Sequence, residues 1–177
     1  MSLLDSHTDV LLNESWLHPR HCWATAGIGR KMETDCGKEV LRVIHAAQGE
    51  TKPLRCGGEE RFPYPYEVYL TPIDRQGHVL ADETLCVRGK HISQHGLEFV
   101  HRELLPYRHM IASFHSEETG WVGLLLELTW CRFVRRDTYE NGGRFLRVLE
   151  SPLQNLAPES LQHRFPSDVT APLQSNP

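Results

Sequence analysis

The chain lacks any apolar run near the roughly 18–20 residues that a helical membrane span needs. Its longest, Trp121 to Leu128, is broken by Gly123 and Glu127 and reads as a strand. It also lacks a basic excess: 19 Lys and Arg stand against 23 Asp and Glu, a net charge of −4. A protein that displaces counterions from long nucleic acid normally carries the opposite balance, so that class is set aside. No CxxC pair occurs among the five cysteines (Cys22, Cys36, Cys56, Cys86 and Cys131), which are odd in number and widely spaced. Neither a disulfide framework nor a zinc ribbon is signalled, and a reducing cytoplasm is the expected home. The opening residues Met1 to Asp9 have no basic region ahead of an apolar one, so no secretory leader is expected. Internal repeats are absent, and no cysteine or histidine sits in a local nucleophile signature, which points away from enzymatic chemistry.

What is present divides the chain in three. Residues 1–54 form an N-terminal extension whose readable part is a helix beginning after Asp35, a good N-cap, with Val40, Leu41 and Ile44 on one face. Residues 55–150 alternate apolar with polar positions in short runs separated by turn residues. The runs are Tyr66–Thr71, Thr84–Ser93, Gly96–His101, His109–His115, Trp121–Phe133 and Tyr139–Leu149, with Asp74–Gly77 and Ser116–Gly120 as turns. Six short strands with no intervening helices predict a small antiparallel barrel or sandwich. Residues 151–177 carry Pro152, Pro158, Pro166, Pro172 and Pro177 among Ser, Gln and Asn, and predict a disordered tail with one helical turn near Pro158.

Within the β region, His91-Ile-Ser-Gln-His-Gly96-Leu-Glu-Phe resembles the [D/N]-x-S-x-x-G signature of the PilZ domain family. Arg61-Phe-Pro-Tyr-Pro-Tyr before it, Leu104-Leu-Pro-Tyr-Arg after it, and Thr129-Trp-Cys-Arg-Phe with Gly142-Gly-Arg-Phe later resemble other family elements in the family's order. The resemblance spans about 55–150. It implies a mostly β fold, a six-stranded antiparallel PilZ-like barrel with an N-terminal helical extension, and a non-enzymatic bacterial signalling role reading cyclic di-GMP. No cofactor is implied beyond that ligand.

In such domains an R-x-x-x-R pair supplies guanidinium forks for phosphate and guanine edges. Here those two positions fall on Glu60 and Tyr64, and His91 stands where Asp or Asn is usual. Each lost charge-assisted bond is worth about 1.5–3 kcal/mol, so two losses shift a micromolar site toward millimolar. The nucleotide-binding residues that the resemblance leaves are Arg55, Arg61, Arg88, His91, Ser93 and Gly96. The competing reading is a degenerate barrel that contacts a protein partner without nucleotide. Three plainer readings accompany these. Ser93 and Gly96 can serve only their turn, and Trp130, Phe133, Tyr139 and Phe145 can be core or cross-strand pairs. His91 and His95 share a face, but with eleven histidines such spacings arise by chance and no metal site is read from them.

Overall fold

The computed structural model describes residues 28–48, 52–56, 58–135 and 137–165. The elements are α1 (Ile28–Gln48), β1 (Leu54–Cys56), β2 (Glu59–Pro63), β3 (Glu67–Ile73), β4 (Leu85–Ser93), β5 (Gly96–His101), β6 (His109–Ser116), β7 (Gly120–Arg135), β8 (Thr138–Leu149) and α2 (Pro158–Arg164). All pairings are antiparallel. The order β4-β3-β6-β7-β8-β5 returns to β4 through a β4–β5 pairing, so six strands close into a barrel, and the β1–β2 hairpin lies outside that ring.

The alternation that marks these strands is the alternation of barrel interior and exterior. In β5, Leu97, Phe99 and His101 are buried while the residues between them are half-buried. Phe99, Leu70, Leu124, Leu126 and Met110 fill the interior, and α1 adds Cys36, Val40, Val43 and Ile44 to the same cluster. Those four positions recur at helical spacing, so one stripe of α1 plugs the barrel while Leu41 stays exposed. Burial pushes the Cys36 thiol up to about 11, which keeps it protonated and inert.

Two expectations are corrected. The helix does not begin after Asp35 but at Ile28, with Asp35 and Gly37 inside it. A mid-helix glycine costs about 1 kcal/mol, and burial of Val40, Val43 and Ile44 outweighs that. Residues 151–165, expected to belong to a disordered tail, are instead packed, and the rest of that expected tail lies outside the described residues. Leu153, Leu161 and Phe165 are buried against Tyr69 and Cys86, on the outer face of β3 and β4. This second layer covers Tyr69, and a separate cluster with Ile111 and Leu125 covers Ile73, so β3 is buried at six consecutive positions rather than at alternate ones. Its polar ties are Ser151 Oγ donating to Ser113 Oγ at 2.8 Å and Trp121 Nε1 donating to the Leu156 carbonyl at 3.1 Å. Trp121→Phe keeps an aromatic ring but removes the donor and part of the indole, so it is expected to lower stability by about 1 kcal/mol or more in urea denaturation. An unchanged midpoint would show that the segment is held by apolar contact alone.

Candidate functional site

The segment bearing the signature is the tight β4–β5 hairpin. Ser93 pairs with Gly96 across the two-residue turn Gln94–His95. Ser93 Oγ accepts from the backbone N–H groups of His95 at 3.3 Å and Gly96 at 3.2 Å, and donates to Glu59 Oε1 at 2.6 Å. Gly96 is demanded by the fold, and Gly142 makes room for a neighbouring side chain. A Cβ at position 96 would collide with the Gly143 carbonyl where β5 meets β8, and one at Gly142 would enter the Trp130 indole. The turn-forming roles of Ser93 and Gly96 are therefore real, and the same two residues also line a groove.

That groove, about 200 Å³, lies between the β1–β2 hairpin and the β7–β8 ladder. Arg61, Phe62 and Pro63 of β2 pair with Ser93, Ile92 and His91 of β4, which sets Glu59 and Arg61 along one wall. Trp130, Gly142, Gly143 and Arg144 form the other. Of the six residues expected to bind nucleotide, the structure brings four together here: Arg61, His91, Ser93 and Gly96. Arg55 is on β1, largely exposed, 3.4 Å from Glu60. Arg88 lies on the far side of the Gly89–His91 bulge, opposite Glu67 and Val100. Neither lines the groove.

The electrostatics of the groove are internal. Arg61 is bonded to Glu98 and lies 3.5 Å from Glu59. Glu98 also meets His91 Nδ1 at 2.9 Å. Arg144 gives its Nε to Glu127 at 2.6 Å. Two carboxylates, Glu59 and Glu98, thus line the groove with two guanidiniums that both already have carboxylate partners. An incoming phosphate would displace a carboxylate from Arg61 at the cost of leaving it near an anion.

Glu127 anchors the neighbouring wall. It is 6% exposed, accepts from Arg108 Nε at 3.1 Å and Nη2 at 2.9 Å, and has His109 Nε2 at 4.0 Å. Burial alone would raise its pKa, but the hydrogen bonds from Arg144 and Arg108 outweigh that and hold the carboxyl below its usual range. Glu140 is similarly lowered by hydrogen bonds from Lys90 and Arg132. Arg132 is thereby paired and lies outside the groove.

Tyr64 takes no place in the groove. It is 4% exposed, in the core, edge-on to Phe114 at 5.8 Å and to Tyr66 at 5.1 Å. The second position of the arginine pair is therefore a core position in this register. Among the aromatics, Phe145 is core, and Phe133 and Tyr139 form a cross-strand pair at 5.4 Å. Trp130 instead covers Gly142 with its indole while remaining 42% exposed. Sequence reasoning missed Glu59, Glu98 and Arg144 as groove residues. The hairpin register that pairs Ser93 with Gly96 also pairs His91 with Glu98, so Glu98 was the one within reach of the sequence.

Among the described residues, no helix is long and apolar enough to cross a membrane. No protein-family model and no curated protein matches the chain. Among solved structures it is similar to K. pneumonia MrkH in its apo state, at 14% identity and a TM-score of 0.39, over 62% of this chain and 51% of that one. The chain thus spans about half the length of that protein.

Proposed function

We propose that the chain is a PilZ-like, non-enzymatic signalling domain of the cyclic di-GMP-binding family in which nucleotide binding is weakened. The observation that carries this reading is the convergence of Arg61, His91, Ser93 and Gly96 on one groove of a closed six-stranded barrel, with Glu59 and Glu98 engaging the groove's cations. The order of the PilZ-like elements along residues 55–150 supports it independently. Cyclic di-GMP would lie across the β4–β5 turn, its phosphate facing Arg61 and a guanine edge facing His91. A protein partner would read the resulting change in the β1–β2 hairpin.

Isothermal titration with cyclic di-GMP, with GMP as control, tests the reading. The wild-type protein is expected to bind with a Kd above about 100 μM, and the Glu59→Gln, Glu98→Gln double variant at least about tenfold more tightly, equivalent to about 1.4 kcal/mol. Low-micromolar binding by the wild type would reject the weakening. A folded double variant that gains nothing would reject the nucleotide and leave a barrel that acts through protein contacts alone. The exposed Trp130, Phe133 and Val134 favour that second reading.

A further inference from the structure

β7 is the longest strand, and its two halves have different neighbours. Residues 123–127 lie between β6 and β8, but the β6 pairing ends at His109 and Glu127. One further bond, from the Leu128 N–H to the Arg108 carbonyl at 2.8 Å, closes that ladder. From Thr129 to Arg135 the strand is paired with β8 on one side only, and its other side meets no strand among the described residues. A row of backbone donors and acceptors is therefore presented outward, on a run Thr-Trp-Cys-Arg-Phe-Val of high β propensity. Trp130, Phe133 and Val134 on it are 42%, 57% and 44% exposed.

Two devices usually blunt such an edge, bulges and charges. The bulges here fall between Leu128 and Trp130 and between Phe133 and Arg135, leaving Trp130 to Phe133 regular. The charge within that window, Arg132, is paired with Glu140 of the neighbouring strand, which also holds Lys90. The edge is thus bounded but not protected.

We infer that this edge is a homodimer interface, in which β7 of one copy pairs antiparallel with β7 of a second about a two-fold axis at Cys131. The register follows from charge. An axis through Arg132 would set two guanidiniums directly opposite each other, which destabilises a ladder. An axis through Cys131 sets Trp130 of each copy opposite Arg132 of the other, a cation over an aromatic face, and Thr129 opposite Phe133. The contact is isologous and closes on itself, so it yields a dimer and not a fibre. It joins two six-stranded barrels edge to edge and requires no nucleotide.

The 177-residue chain tests this in three measurements. Light scattering across a wide concentration range is expected to show the mass rising from the 20.4 kDa of one chain to twice that value. Trp130→Lys with Phe133→Lys, both at exposed positions, is expected to remain monomeric throughout with unchanged circular dichroism. A short bis-maleimide is expected to capture the wild-type dimer through Cys131, with the linked peptide identified by mass spectrometry and lost in Cys131→Ser. A monomer at every concentration would overturn the inference. So would a dimer that survives the lysine pair, or a link that maps to another cysteine.

Discussion

Tyr64→Arg, the substitution that would complete half of the arginine pair, is expected to unfold the barrel rather than create a phosphate clamp. Tyr64 follows β2, and its N–H donates to the Lys90 carbonyl at 2.9 Å, which turns its ring inward onto Phe114 and the α1 plug. A guanidinium there loses the ring packing, worth about 3–5 kcal/mol in large-to-small core changes, and buries an unpaired charge in addition. A total of about 5 kcal/mol or more would remove much of the roughly 5–15 kcal/mol that holds a domain together. Urea denaturation followed by circular dichroism reads the loss directly. Glu60→Arg, on the exposed side of β2, is the contrasting case and is expected to stay within about 0.5 kcal/mol of wild type. A stable Tyr64→Arg protein that binds cyclic di-GMP more tightly would show that residue 64 faces the ligand.

The second large effect concerns acid. Glu127 is buried with hydrogen bonds from Arg108 and Arg144, and Glu127→Ala is expected to cost about 3 kcal/mol at neutral pH. The partners' own exposure keeps the figure at the lower end for a broken buried pair, since both arginines can be hydrated once released. The pH dependence has two stages. Burial lowers the His109 pKa, with Arg108 and Arg144 adding to that and Glu127 partly opposing it. A folded-state pKa below the ordinary 6.5 means that its contribution is complete above pH 6.5 and is lost as pH falls toward the folded value. Glu127 and Glu140, both lowered, contribute fully above the ordinary 4.5 and lose that contribution as pH falls through their folded values. Stability measured against pH should therefore decline gently below 6.5 and steeply below 4.5. Glu127→Ala should start lower and show a shallower steep limb. A variant with wild-type stability and an unaltered acid limb would sink this account.

The strands were legible because each of the six in the barrel has one face against the core and a turn at its end. Leu97, Phe99 and His101 on β5 illustrate the period, and Asp74 shows the turn chemistry. Its carboxylate accepts from the backbone of Gln76 and His78, closing the loop after β3. The tail was illegible because its prolines signal loop, while the partner that orders Leu153, Leu161 and Phe165 is the outer face of strands more than sixty residues earlier. The site was half legible. Motif order marks His91, Ser93 and Gly96, which one hairpin places together. Glu59 and Arg144 join them only through β2–β4 and β5–β8 pairing, and local pattern carries no information about such pairs.

One strand, β4, carries an asymmetry with a consequence for descent as well as for structure. Its first half is held by β3 and its second half by β2, both on the same side, while β5 runs along the other. Barrel closure needs only the β3 and β5 partnerships. The β1–β2 hairpin is therefore an appendage that can be lengthened, shortened or rewritten without reopening the ring. Charge can be exchanged there, as at Glu59, Glu60 and Arg61, far more freely than at Tyr64 a few residues on. A lineage that alters what its barrel recognises has, in these few residues, a stretch it can change while the rest of the molecule keeps its shape.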